Sequence, residues 1–329
     1  MDGSLSATPS TLPADGQAQV AGHSLTRFTN WIVGAYLAFA LIVMLVLRVT
    51  PSVDLFFVFA VILAVLLGRG LSFVRDWGPF VLIFFAWEGM RGIANQFGQA
   101  VISDGIIGVE RALMFGSVPT VTLQQALRVP GEITPLDIGL TFVYISHFFF
   151  PLALAFFFWL RHREMYYRFV TTLMLVSFAA FFTFIVMPVA PPRFAWYFGQ
   201  DLGVADVMEQ VFAQVEWGGF NWVYANMVGN PVAAFPSMHA AYPLLVLLFL
   251  AERWRAAAAA WSVVTVTIWF ATIYLGHHYV VDVLGGAIYA VVGYLLLRHS
   301  SIGSWLAHTY ARAFRRAARD VARLVPARR

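Results

Sequence analysis

The 329-residue sequence contains no cysteine and no lysine, and only 12% of its residues are charged. The absence of cysteine excludes disulfide bonds and thiolate nucleophiles. All 21 basic residues are arginines, which excludes any mechanism that requires a lysine amine. Soluble domains carry about 25% charged residues, so the low charge of this chain argues against a soluble protein.

Apolar sequence is what the chain has in abundance, since 60% of its residues are hydrophobic. Several apolar runs reach the roughly 17–25 residues that a helix needs to cross a bilayer. The sequence therefore predicts an all-α fold, a polytopic membrane bundle of about eight transmembrane helices. The predicted spans lie near 31–49, 53–68, 78–95, 136–160, 167–188, 234–251, 257–276 and 279–298.

Composition divides the chain into four regions. Residues 1–22 are rich in small and polar residues and lack large apolar ones, which predicts a disordered tail. Residues 23–135 contain the first three spans and a loop on the outer side. Residues 136–298 form a predicted catalytic helical core, and residues 299–329 form a basic tail.

Arginines in the short loops indicate the orientation of the bundle, because such residues stay on the cytoplasmic side. With eight spans, nearly all of them share one face with both termini. They are Arg69, Arg75, Arg161, Arg163, Arg168, Arg253 and Arg255, together with those of the C-terminal tail. We therefore expect an integral membrane protein with both termini cytoplasmic and the opposite face exposed outside.

Two histidine-bearing segments fall on that outer face. Ser237 precedes an apolar run and is a good helix cap, and His239 follows it; helix starts bind phosphate through unpaired amides. His278 and Asp282 are four residues apart, so on one helix the carboxylate can orient the ring. Two histidines, one of them oriented by a carboxylate, beside a helix start indicate a phosphoryl site.

Each of these residues also has a structural interpretation. His278 with Asp282 is either a satisfied buried pair or a catalytic pair, and the cost of ionisable groups at membrane depth favours the second. Arg193 follows two prolines at the end of a span on the same face. It is either an interfacial anchor or a bidentate phosphate clamp, and we favour the clamp.

Four further residues are candidates for contact with substrate. Arg91 either pairs with Glu88 within its helix or reaches the substrate. His147 is either a core histidine, which we favour, or a substrate ligand. His277 and Asn230 lie where they can bind a polar headgroup.

The two histidine segments resemble a known family. Pro236-Ser237-Met238-His239 and His278-x-x-x-Asp282 resemble the second and third motifs of the type 2 phosphatidic acid phosphatase superfamily. The usual second motif has glycine in place of Met238. The usual third motif has Ser-Arg where this chain has Ala271 and Thr272, and the usual first motif contains a lysine, which this chain lacks.

These departures fit one subgroup of the superfamily. Ala190-Pro191-Pro192-Arg193, the segment 234–242 and Gly276-His277-His278-Tyr279-x-x-Asp282 are similar to the inositol phosphorylceramide synthase branch and its bacterial relatives. The similar region covers roughly 136–298, and the bacterial relatives imply a bacterial plasma membrane with the site on its outer face.

The resemblance implies a role for each residue of the site. His278 would attack phosphorus and form a phosphohistidine, and Asp282 would hold its tautomer. His239 would protonate the leaving alcohol and then deprotonate the acceptor. Arg193, with Ser237 and helix-start amides, would stabilise the pentacoordinate phosphorus. No cofactor and no metal is implied, and the sequence shows no carboxylate cluster that would hold a metal.

The lead hypothesis is an integral membrane phosphotransferase. It would move a phospho-headgroup, with phosphoinositol as one candidate, from a phospholipid donor to a lipid or polyol acceptor. The alternative is a phosphatase for lipid or polyprenyl phosphates, which would use the same residues with water as acceptor. The aromatic-rich loop 194–233 would act as a lid and decide between them.

A lipid transporter is the alternative from another class, but the charged residues cluster at one outer depth and do not cross the bilayer. The expected partners are membrane lipids and a phospholipid or polyprenyl-phosphate substrate, and no nucleic acid. Donor, acceptor and oligomeric state stay open.

Overall fold

The computed structural model describes residues 53–93, 100–214 and 231–299, together with isolated positions at 34–36, 38, 42, 46, 309 and 312. These ranges contain helices and two isolated β-bridges but no strand, which confirms the all-α prediction. In chain order, helices α1 to α11 are Val53–Leu66, Gly70–Ile93, Asp104–Leu113, Pro119–Leu127, Pro135–Ile145, Phe149–Arg161, Arg163–Val186, Val207–Gln214, Met238–Ala251, Arg255–Tyr274 and Val280–His299. A 3₁₀ helix, η1, spans Pro192–Phe198 between α7 and α8.

Three of the described helices, α7, α10 and α11, are long and apolar enough to cross a membrane. Helices α5 and α6 pass the same test as a pair, which makes four. Helices α1 and α9 are apolar but shorter, with 14 residues each. The predicted count of eight spans is therefore not confirmed, and the first predicted span lies mostly outside the described residues.

The predicted span at 136–160 is two helices that meet at an angle of 42°. Pro151 lies in the first turn of α6, and it disfavours a helix that continues through His147, because a proline has no N–H to donate and its ring clashes with the carbonyl four residues earlier. Polar side chains bond the carbonyls at the end of α5: Ser146 Oγ donates to Val143 O at 2.6 Å, and His147 Nδ1 lies 2.6 Å from Tyr144 O. The break places His147 at a corner of the chain.

Helix α9 is the centre of the bundle and packs against α6, α7, α10 and α11. Two tryptophans of α10 hold it by hydrogen bonds to its carbonyls. Trp261 Nε1 donates to Pro243 O at 2.9 Å, and Trp269 Nε1 donates to Ala240 O at 3.1 Å. Because α9 contacts four neighbours, the position of its first turn is fixed from several sides.

Three extended segments join side by side at one end of the bundle. Val189 forms parallel bridges with Ile102 and with Ala233. Ile102 N–H donates to Pro188 O at 2.8 Å, and Val189 N–H donates to Val232 O at 2.8 Å. These bonds align the chain before α3, the chain before η1 and the chain before α9, and so bring three distant parts of the sequence to one place.

A buried carboxylate, that of Asp76, pairs with two of the arginines that we expected on the cytoplasmic face. Asp76 is 1% exposed and pairs with Arg75 and Arg163. It also accepts hydrogen bonds from Trp159 Nε1 at 3.0 Å and from Tyr167 Oη at 3.1 Å. Such a buried charge is tolerated because it is paired and fully hydrogen-bonded.

Candidate active site

Two histidine rings face each other where α9 and α11 begin. His239 is the second residue of α9, and His278 lies two residues before α11. His239 Nδ1 lies 3.0 Å from His278 Nε2. The turn between α10 and α11 makes this possible, because Gly276 adopts φ +80°, a conformation that side-chain-bearing residues rarely adopt. The structure thus brings together the two histidines that the sequence singled out.

Asp282 lies behind His278, on the side away from His239. Its Oδ2 is 3.4 Å from His278 Nδ1, and its side chain is fully buried. The same oxygen accepts the backbone N–H of Tyr279 at 2.9 Å. A carboxylate facing Nδ1 favours the tautomer with hydrogen on Nδ1, which leaves the lone pair on Nε2. His278 Nε2 is therefore the nitrogen available for reaction.

Ser237 connects the two histidine segments. Its Oγ caps α9 by accepting the N–H of Ala240 at 3.2 Å, as the sequence predicts. Its own N–H donates to Asp282 O at 3.0 Å. Gly286, one turn after Asp282, allows this approach, since a Cβ there would lie 2.0 Å from Ser237 O. The start of α9 is therefore tied to the first turn of α11.

A glutamate that sequence reasoning missed occupies the start of α11. Glu110, on α3, is buried, and its two oxygens accept the N–H groups of Val280 and Val281 at 3.0 Å each. Burial raises the pKa of Glu110, and the two backbone hydrogen bonds act against that shift. With Tyr279 N–H bonded to Asp282, the amides that start α11 are occupied by carboxylates. The amides of Tyr279, Val280 and Val281 are therefore not left for a phosphate.

Arg193 approaches the same turn from η1. Its N–H donates to Gly276 O at 3.0 Å, and its guanidinium lies 4.1 Å above the ring of Phe194. The guanidinium is paired with Asp206, a residue that the sequence analysis did not single out. Arg193 Nε is buried without a hydrogen-bond partner, so this donor lacks an acceptor in the absence of a ligand.

Tyr144, which the sequence analysis did not identify, packs against His239 and His277. The ring of Tyr144 stacks on that of His239, with centroids 4.2 Å apart and 17° between planes. Tyr144 Oη lies 3.0 Å from His277 Nδ1. The centroids of the His147 and His239 rings lie 3.8 Å apart. His147 and His277 therefore belong to the surroundings of His239.

His277 is buried, and its Nε2 has no hydrogen-bond partner. Burial lowers the pKa of His277 well below its ordinary value, with the charge of Arg193 acting in the same direction. A neutral ring in this position can donate or accept one hydrogen bond. That property fits the predicted contact with a polar headgroup, which stays a prediction.

Several other predicted features lie wholly or partly outside the described residues. Asn230 is outside them, and so is the side chain of Arg91, although its backbone belongs to α2. The tails at 1–22 and 299–329 are outside apart from a few positions. Of the predicted lid, the described part includes exposed aromatics of η1, where Trp196 and Tyr197 stack with centroids 3.5 Å apart.

The geometry supports covalent phosphoryl chemistry. A nucleophilic nitrogen, a second imidazole within hydrogen-bond distance and an orienting carboxylate are the parts of an activated nucleophile. Within ranges 53–93, 100–214 and 231–299, no three histidine or acidic side chains are grouped as a metal site would require. The expectation that the reaction needs no metal stays a prediction.

Comparison with known proteins places the chain in a family. A sequence model of one protein family, described as the PAP2 superfamily, matches residues 104–296. The match includes α3 with Glu110 and begins before the predicted catalytic core at 136. The match includes the four histidines of the site, His147, His239, His277 and His278, together with Asp282 and Arg193.

Two curated relatives share sequence with the chain. Phosphoinositol dihydroceramide synthase of Bacteroides thetaiotaomicron is 25% identical over 239 residues, which are 67% of this chain and 75% of the relative. Inositol phosphorylceramide synthase of Candida albicans is 39% identical over 54 residues, which are 16% of this chain and 12% of the relative. No solved structure matches the chain.

Proposed function

Because this chain belongs to the PAP2 superfamily, we propose that it is an integral membrane phosphotransferase acting through a phosphohistidine. It moves a phospho-headgroup from a phospholipid donor to the hydroxyl of a lipid or polyol acceptor. The observation that carries this proposal is the contact of 3.0 Å between His278 Nε2 and His239 Nδ1, with Asp282 behind the first ring.

In the first step, the lone pair of His278 Nε2 forms a bond to phosphorus. The bond from phosphorus to the diacylglycerol oxygen breaks, and His239 Nδ1 gives its proton to that oxygen. The positive charge that develops on the His278 ring is stabilised by the carboxylate of Asp282. The products are free diacylglycerol and a phosphorylated His278 that still carries the headgroup.

In the second step, an acceptor hydroxyl replaces the leaving alcohol. His239 Nδ1 takes the proton of this hydroxyl while its oxygen forms a bond to phosphorus and the bond to His278 Nε2 breaks. The enzyme returns to its starting protonation state, and no charge or proton is left over. The stacked Tyr144 ring supports this cycle, because a π face stabilises His239 when it is protonated.

Negative charge that grows on the phosphoryl oxygens needs hydrogen-bond donors. Arg193 Nε, buried and without a partner, supports a role for Arg193 as one of them. The first backbone N–H of α9, that of Met238, is proposed as another, because the amides that open α11 bond to Glu110 and Asp282 and the amide of Ala240 bonds to Ser237 Oγ.

The relatives support phosphoinositol as the headgroup. One is named for phosphoinositol and dihydroceramide, and the other for inositol phosphate and ceramide. We propose the same chemistry here, with phosphatidylinositol as donor and a long-chain lipid alcohol as acceptor. Hydrolysis of a lipid phosphate, the alternative reaction, needs the same residues but yields free phosphate.

A headgroup-transfer assay tests the proposal. Purified protein in mixed micelles receives phosphatidylinositol and an isotope-labelled ceramide, with EDTA present in one arm, and the lipids are resolved by mass spectrometry. We expect a labelled inositol phosphodiester and an equal amount of diacylglycerol, with the same rate in EDTA. Free phosphate or inositol phosphate that is unaffected by the acceptor would contradict transfer.

The proposal includes a topology of eight crossings, with both termini cytoplasmic and the histidines facing outside. It rests on the arginines that gather at the Asp76 end of the bundle, far from the site. Since the chain has no native cysteine, the labelling of a single introduced cysteine shows on which side of the membrane that residue lies. We expect an impermeant maleimide to label Glu132→Cys in intact cells and Arg255→Cys after lysis alone. The reverse pattern would overturn the orientation.

A further inference from the structure

The ion pair between Arg193 and Asp206 stands beside the proposed reaction centre. Both side chains are largely buried, at 9% and 12% exposure. Asp206 has a second function, because its Oδ1 accepts the N–H of Glu209 at 3.1 Å and so caps α8. The carboxylate is therefore fixed from two sides and cannot easily turn away from the guanidinium.

Carboxylates outnumber cations in the described surroundings of the two histidines. Asp282 faces His278 at 3.4 Å, and Glu110 bonds the amides two and three residues after it. Arg193 brings one positive charge to this turn, and Asp206 balances it. The chain has no lysine, and the side chain of Arg91, the other arginine considered for substrate contact, lies outside the described residues. Among the described groups, a substrate with two negative charges therefore meets more repulsion than a substrate with one.

Phosphodiesters and phosphomonoesters differ in negative charge, and a site with these carboxylates would distinguish between them. A phosphodiester carries one negative charge, whereas a phosphomonoester has a second pKa near 6 and carries almost two at neutral pH. In a partly buried site, charges within a few ångströms of the phosphoryl group largely determine which of the two esters is preferred. A free guanidinium would favour the monoester, and a guanidinium already paired with a carboxylate would not.

We propose that Asp206 is a specificity-determining residue that makes the site select monoanionic phosphodiesters over dianionic phosphomonoesters. It acts by holding and neutralising Arg193. The inference rests on the proposed function, because it requires the phosphoryl group of the substrate to lie beside Arg193 during attack by His278.

The test compares two lipids that release the same product. Phosphatidylinositol is a diester and phosphatidic acid is a monoester, and attack by His278 on either one releases diacylglycerol. Initial rates of diacylglycerol release give kcat/KM for both lipids in matched micelles. We expect Asp206→Asn to shift the ratio of monoester to diester kcat/KM upward by about tenfold or more.

Asparagine is the informative replacement, because it caps a helix as well as aspartate does and can still accept a hydrogen bond from Arg193. Asp206→Ser, which keeps a cap but shortens the side chain, is the second variant. Asp201→Asn is the matched control, because this exposed carboxylate lies on the same connection and bonds Gly203 N–H instead of an arginine. We expect the control to leave the ratio unchanged.

The possible failures are distinguishable. If wild-type protein releases no more diacylglycerol from phosphatidylinositol than His278→Ala does, the proposed function fails and this inference fails with it. If wild-type protein uses phosphatidylinositol but both Asp206 variants keep the wild-type ratio, only the specificity inference is overturned. A proportional loss of both activities in the two variants overturns it in the same way.

Discussion

Replacing His278 with alanine is expected to lower the rate of headgroup transfer by at least about 10⁴-fold. Removal of a nucleophile takes away the covalent pathway itself, and enzymes that lose one fall by factors of this order or larger. The fold should survive, because His278 lies in the turn between α10 and α11. Among the described contacts, its side chain forms no hydrogen bond to the backbone. The measurement is the initial rate of labelled product in the transfer assay.

His162→Ala is the matched control for this variant. His162 separates α6 from α7 at the other end of the bundle, where its ring packs 5.2 Å from that of Trp254. Because it is far from the phosphoryl site, we expect its loss to change the rate by no more than about twofold. A His278→Ala protein that retains a tenth of wild-type activity would show that another residue attacks phosphorus.

Replacing Gly286 with alanine is expected to disable the site through backbone packing alone. A Cβ at this position would lie 2.0 Å from Ser237 O and 3.0 Å from Ser237 C, and neither atom can move aside by a rotamer change. Either α11 or the segment that caps α9 must shift. Since Ser237 N–H bonds Asp282 O, the shift separates His239 from the His278–Asp282 pair.

Overpacking of this kind costs about 1–3 kcal/mol and more where backbone blocks the way. A displacement near 1 Å costs about 10²-fold in rate. We therefore expect Gly286→Ala to melt at a lower temperature and to lose at least about 10²-fold in activity. Thermal unfolding in detergent, followed by circular dichroism, and the transfer assay measure the two effects.

Gly139→Ala on α5 serves as the comparison. This glycine is also helical, but a Cβ there meets nothing within 4 Å. Alanine should leave the rate unchanged and stabilise the helix slightly, by up to about 1 kcal/mol. If Gly286→Ala behaved like Gly139→Ala, the close approach of α11 to Ser237 would not be needed for the site.

The convergence of the catalytic segments could be predicted from the sequence for a simple reason. His239 and His278 stand at ends of apolar runs, so hydrophobic length alone places them at one end of a bundle. Helical spacing predicted that Asp282 faces His278, and the two do lie 3.4 Å apart, but His278 is in the turn two residues before α11 and not on the helix. The prediction required no knowledge of which helices pack together.

The residues that sequence reasoning missed depend on contacts between distant segments. Tyr144 reaches His277 across 133 positions, and Glu110 reaches Val280 across 170. Neither residue type is unusual on a helix, and periodicity does not reveal a partner on another element. A glutamate on the apolar side of α3 was the available signal, because a buried carboxylate requires hydrogen-bond donors.

The sequence also contained an indication of the break between α5 and α6, namely Pro151. Pro151 disfavours a continuous helix through His147, yet the segment as a whole is apolar and predicts one span. Hydropathy reports the length of an apolar run and not its straightness. The bend matters for the site, because it lets His147 reach the ring of His239.

Direct detection of phosphorylated His278 tests the central claim. Protein incubated with phosphatidylinositol is quenched under alkaline conditions, digested, and analysed by tandem mass spectrometry for a phosphoinositol adduct. We expect an acid-labile adduct on His278 Nε2, since Asp282 faces Nδ1. It should accumulate in wild-type protein when no acceptor alcohol is supplied, because the second step then has no hydroxyl to use, and it should be absent in His278→Ala. Wild-type protein that transfers the headgroup to an added acceptor but forms no histidine adduct without one would contradict the account.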